Sequence, residues 1–84
     1  MSKDQLIKIS EIVTKYINTQ PQILDKFVSR GELGICLTRS FEKESTYFIK
    51  FEMIKELSDF LNTTDITVSL SHTHVDLIIR DMKL

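Results

Sequence analysis

The chain has no tryptophan, one cysteine, one proline and two glycines among its 84 residues. A lone Cys36 cannot close an internal disulfide, so a packed core has to hold the fold. No apolar run approaches the roughly 20 residues that a membrane-spanning helix needs. The N-terminal residues also lack the apolar centre of a signal peptide. Charge of one sign is missing as well. Net charge is −1, from 11 basic and 12 acidic side chains. No basic tract supplies the phosphate-neutralising footprint of a nucleic-acid binder. Nor is there the concentrated acidity of a nucleic-acid mimic. Glycines are too few and too scattered for a phosphate cradle; Gly31 and Gly34 read as turn residues. The expectation is a soluble, cytoplasmic protein with no membrane segment.

What is present is an ordinary globular composition, 42% hydrophobic and 27% charged. Intrinsic disorder requires low hydrophobicity and high net charge, and neither applies. The length suits one small domain over residues 1–84. Isoleucine and lysine are used heavily, a habit that accompanies AT-rich genomes, including low-GC bacteria and their phages.

The most constrained stretch runs from Ile66 to Asp81. Reversing the chain across Ser71–His74 pairs Leu70 with Val75, Val68 with Leu77 and Ile66 with Ile79. All six aliphatics then share one face. A one-residue slip would turn them all to the other side, so the register is set by the sequence itself. The opposite face pairs Ser71 with His74, Ser69 with Asp76 and Thr67 with Ile78.

Upstream, Asp4 to about Asn18 reads as an amphipathic helix, with Leu6, Ile9, Ile12, Val13, Tyr16 and Ile17 on its apolar stripe. Lys3, Lys8 and Lys15 fall largely outside that stripe as a solvated face. Pro21 suits the first turn of a second helix and Gly31 its stop, with Ile23, Leu24, Phe27 and Val28 facing inward. From Leu33 the period becomes two, which predicts a strand through Ile35 and Leu37. Thr46–Phe51 is rich in aromatic and β-branched residues and predicts its hairpin partner, with Leu37 opposite Phe51 and Phe41 opposite Tyr47. A competing reading starts the next helix at Thr46. Glu52–Asn62 reads as a third helix buried through Met53, Ile54, Leu57, Phe60 and Leu61.

These elements predict an α+β fold ordered α-α-β-β-α-β-β, a four-stranded antiparallel sheet with helices packed on one face. The other face would carry Cys36, Thr38, Ser40, Phe48, Lys50, Thr67, Ser69, His74, Asp76, Ile78 and Arg80.

Residues 72–76 spell His-x-His-x-Asp. This resembles the start of the metal motif of the metallo-β-lactamase-like hydrolases, though Leu77 stands where that family carries its next histidine. The resemblance spans five residues and implies a metal-dependent hydrolase. Hairpin-tip geometry argues instead for solvated turn residues, so no metal and no cofactor are expected. Cys36 lies between Ile35 and Leu37 with no basic neighbour to favour a thiolate, which suits an unreactive small side chain. His72 and His74 are the only imidazole bases, and a hairpin tip neither orients nor shelters a general base. The pairs Glu42/Glu44 and Glu56/Asp59 read as solubility charges. The chain is not expected to be an enzyme.

The remaining expectation is a protein-binding module. It would use an outer-face patch of Phe48, Ile78 and Met82 rimmed by Lys50, Asp76 and Arg80, with Ser69 beside it. A short phage or mobile-element protein that blocks a host factor, in anti-defence or host takeover, fits the size and composition. The last strand, Leu77 to Leu84, would form a C-terminal edge open to a homodimer. The alternative is a dimeric nucleic-acid-associated regulator. Its first two helices would form a helix-turn-helix-like pair, with Lys15, Lys26 and Arg30 on phosphates.

Overall fold

The structure is a computed structural model that describes residues 1–17, 20–38, 49–71 and 73–83. Helix α1 spans Lys3–Tyr16 and begins where the sequence supplies a cap. The Ser2 hydroxyl accepts from the Gln5 N–H at 3.2 Å, and the Ser2 N–H donates to Gln5 Oε1 at 2.8 Å. This reciprocal box satisfies two of the donors that every helix start leaves open. Ile9, Ile12 and Val13 are buried on its inner stripe. Helix α2 spans Phe51–Leu61 and buries Met53, Leu57 and Leu61. It stops at Asn62, which takes the left-handed conformation at φ 55°, a geometry asparagine tolerates better than most residues.

Four strands form one antiparallel sheet: β1 (Gln22–Leu24), β2 (Leu33–Thr38), β3 (Ile66–Leu70) and β4 (His74–Ile79), in spatial order β1-β2-β4-β3. The β3–β4 register is the expected one: Ile66 faces Ile79, Val68 faces Leu77 and Leu70 faces Val75. Strand β4 also pairs with β2, setting Leu33 against Ile79, Ile35 against Leu77 and Leu37 against Val75. The inward residues of these two central strands join those of both helices in one core cluster. The fold is therefore α+β, a four-stranded antiparallel sheet with its helices on one side.

Three expectations about individual elements need correction. No second α-helix forms after Pro21; the segment is β1 followed by a single 3-10 turn, Val28–Arg30, that ends on Gly31 at φ 75°. A helix of this length is marginal alone. As a strand it instead places Ile23 opposite Ile35 and caps the ladder groups that β2 would otherwise leave open. Among the described residues, the fourth strand of the sheet is thus β1, while Ile49 and Lys50 pair with no strand. Phe51 opens α2 and is 75% exposed, while Leu37 faces Val75. The pairing of Phe41 with Tyr47 lies outside the described residues. Finally, the C-terminal strand is central. β4 alternates buried Val75, Leu77 and Ile79 with half-buried neighbours because it is flanked on both sides, and the edge beside it is β3.

The C-terminal end of α2 is tied to the sheet by Thr63, a buried threonine. Its hydroxyl donates to the Arg80 carbonyl at 2.6 Å and accepts from the Asp65 N–H at 3.1 Å. Ser58 Oγ donates to the Thr63 carbonyl at 2.5 Å. Backbone groups that strand pairing would leave open at this corner are met by side chains.

Candidate docking face of the sheet

The sheet face away from the helices follows from the register. One row across it reads Leu24, Gly34, Ile78, Thr67, and the next reads Gln22, Cys36, Asp76, Ser69. Thr38 and His74 form a third pair. Alternation along each strand puts these residues on one side, and pairing between strands puts them in rows.

Of the residues expected to form the patch, Ser69, Asp76 and Ile78 come together on this face. Arg80 follows β4 at the same alternation and is exposed. Lys50 does not join them. It is the N-cap residue of α2 and stands at the start of that helix, outside the sheet. Met82 is also absent from the patch: it packs half-buried against the core, and its N–H lies 3.5 Å from the Gly31 carbonyl. Phe48 lies outside the described residues, as does His72.

The aromatic partner of Ile78 is a residue that sequence patterning placed inward. Leu24, Phe27, Gly34 and Ile78 line an apolar cleft of about 420 Å³, with Asp25, Lys26 and Glu32 at its rim. Leu24 is 51% exposed and Phe27 43%. Two cations lie near the Phe27 ring, with Lys26 Nζ and Arg30 Cζ each 5.6 Å from its centroid. Gly34 makes the cleft possible. A Cβ on that residue would stand 3.3 Å from the Leu24 Cβ, tighter than ordinary contact. The available signal was Gly34 itself, because a glycine inside a strand marks close approach by another group. It is not the turn residue expected from its neighbours.

A larger cleft of about 830 Å³ sits at the end of α2, where Asp59, Asp65 and Asp81 alternate with Arg30 and Lys83. Its lining is polar and of both signs, so it offers little apolar area to a partner. Within the described residues no buried polar side-chain atom lacks a hydrogen bond. The apolar cleft is the stronger candidate despite its smaller size, because desolvating apolar surface drives association.

Chemistry on the face is sparse. Burial pushes the Cys36 thiol above its ordinary pKa, and a hydrogen bond with Asp76 adds to the effect. The thiolate is disfavoured, which argues against a nucleophile. His74 Nδ1 lies 2.5 Å from Thr73 Oγ1. Among the described residues, no three His, Cys, Asp or Glu side chains gather as metal ligands. No described helix is long and apolar enough to cross a membrane.

The helix-turn-helix pair expected around Pro21 does not form. Lys15 bonds Glu56 at 2.5 Å on the helical side, while Lys26 and Arg30 flank Phe27. Comparison of the chain with family models, curated proteins and solved structures finds no match.

Proposed function

We propose that this chain is a non-enzymatic protein-binding module that docks a partner protein on the helix-free face of its sheet. The observation that carries the reading is the cleft between Leu24, Phe27 and Ile78 above Gly34. It exposes an aromatic and an aliphatic side chain beside a concave floor, with charges of both signs at its rim. Protein interfaces concentrate binding energy in such arrangements, where an aromatic anchor is ringed by polar residues that exclude water. The cleft is large enough for one or two side chains of the partner. Asp76, Ser69 and Arg80 extend the contact as a polar border along the same face. Blocking a host factor, as a short phage or mobile-element protein would, is supported by small size and composition.

The test is affinity capture from the source cell followed by identification of retained proteins. The wild-type chain is expected to hold a protein partner after nuclease treatment and in high salt, since apolar docking is insensitive to counterion release. Ile78→Lys and Phe27→Ser are expected to lose that partner while keeping the wild-type circular dichroism spectrum. Retention by both variants would remove the outer face from the argument. Retention of nucleic acid alone, declining steeply with salt, would favour the regulator alternative.

A further inference from the structure

The two edges of the sheet are guarded differently. β1 is three residues long, and a short edge strand offers little template to another chain. β3 runs five residues, Ile-Thr-Val-Ser-Leu, with no charge, proline or glycine in it. Among the described residues, its only strand neighbour is β4. Its core-side residues are also incompletely covered: Val68 is 40% exposed and Leu70 68%.

Hydrogen-bond parity shows which backbone groups are open. The Ser71 N–H donates to the His74 carbonyl, and the Arg80 N–H donates to the Asp65 carbonyl. Bonded and non-bonded pairs alternate along an antiparallel ladder, so Thr67 and Ser69 also turn their groups toward β4. Ile66, Val68 and Leu70 then turn theirs outward. The Ile66 N–H bonds the Thr64 carbonyl at 3.0 Å, leaving the outward groups of Val68 and Leu70 as the principal open donors.

We infer that β3 pairs antiparallel with β3 of a second copy of this chain, about a twofold axis through Val68. That axis makes each Val68 exchange two backbone hydrogen bonds with its twin, which is the pairing the outward parity requires. Ile66 falls opposite Leu70 of the other copy and Thr67 opposite Ser69. Each pair matches in character, aliphatic on the helical side and hydroxyl on the other. Charge is compatible too. The strand carries none, and the first flanking charge, Asp65, falls opposite Ser71 of the other copy, so no like charges meet. The joined sheets would form eight strands, with the cleft over Gly34 left open at the far edge of each copy.

Area sets the strength. Five residues at about 3.4 Å each give a contact about 17 Å long, burying on the order of 700 Å² in total. Stable complexes bury about 1,200 Å² or more, so the dimer is weak, with a dissociation constant of about 0.1–1 mM.

Sedimentation equilibrium of the full chain from about 10 μM to about 1 mM reads this directly, the span bracketing that constant. The mean mass is expected to rise from monomer toward dimer. Val68→Lys places two ammonium groups on the axis and is expected to weaken association at least about tenfold. An equimolar mixture of Val68→Lys with Val68→Glu is expected to restore it, because opposite charges then meet. In the wild-type chain, hydrogen exchange at the Val68 and Leu70 amides is expected to slow about twofold or more over the same range. Monomer mass throughout, undiminished association of Val68→Lys, or concentration-independent exchange at those amides would each overturn the inference.

Discussion

The β3–β4 hairpin and the segment from Pro21 to Gly31 are both short and both rich in isoleucine, leucine or valine, yet they are specified in different ways. The hairpin carries three inward aliphatics on each strand and a tight reversal between Ser71 and His74, so its register follows from local pattern. The Pro21–Gly31 segment has one inward strand residue, Ile23, and its conformation is dictated from outside by the ladder of β2 and the open floor at Gly34. Local pattern specifies a hairpin with several inward aliphatic pairs. A strand with a single inward residue depends on its neighbour, and the same aliphatics then read equally well as a helical stripe.

The most direct break of that contrast is Leu77→Ala. Leu77 is fully buried and faces Ile35 on one side and Val68 on the other. Its truncation is expected to cost about 2–5 kcal/mol in urea unfolding. Leu24→Ala, on an exposed position of β1, should cost under about 1 kcal/mol in the same titration, since surface substitutions usually stay small.

Thr63→Val comes next. It keeps the shape and removes the hydroxyl that serves the Arg80 carbonyl and the Asp65 N–H, at the corner where α2 hands over to the hairpin. Leaving those groups without that partner is expected to cost about 1–3 kcal/mol, measured as a fall in the urea midpoint at unchanged slope. If the hairpin were as self-sufficient as its pattern suggests, the loss would fall below that range.

Ser2→Ala removes the capping box of α1 and is expected to cost about 1 kcal/mol by the same titration, with the loss confined to fraying of the first turn in hydrogen exchange.

The smallest effect is electrostatic and lies on neither segment. Lys15 and Tyr16 both bond Glu56, at 2.5 and 3.0 Å. The Lys15 hydrogen bond, then that of Tyr16, holds the Glu56 carboxyl below its ordinary 4.5. Its stabilising contribution is therefore present above that value and is lost as pH falls through the lowered one. The hydrogen bond to Glu56 raises Lys15 above 10.5, so its contribution is present below that value and lost as pH rises through the raised one. Desolvation first, then Glu56, raises Tyr16, with the same alkaline loss. Glu56→Gln is expected to flatten both limbs of stability against pH, slightly and less so in high salt, because the groups are exposed.

Much of the fold was legible because most of the core is periodic. The apolar spacing of α1 and α2 and the alternation of β2 and β4 each bury several residues, β3 follows β4 by register, and each appears in the expected place within a residue or two. The position of β1 was not legible, since Gln22–Leu24 has weaker strand composition than Thr46–Phe51 and is a strand only through its contact with β2. The site divides along the same line. Asp76, Ile78 and Ser69 were readable as one face because they lie on the hairpin. Leu24 and Phe27 were misplaced with the segment that carries them, and Lys50 was misplaced with a strand that does not extend to it.

Strand order also has a consequence for how the chain acquires its shape during synthesis. Leu33, Ile35 and Leu37 emerge well before their central neighbours Ile79, Leu77 and Val75. The interior cannot close around β2 until β4 has left the ribosome. A chain stalled between β2 and β4 would therefore expose a bare aliphatic strand to chaperones and proteases.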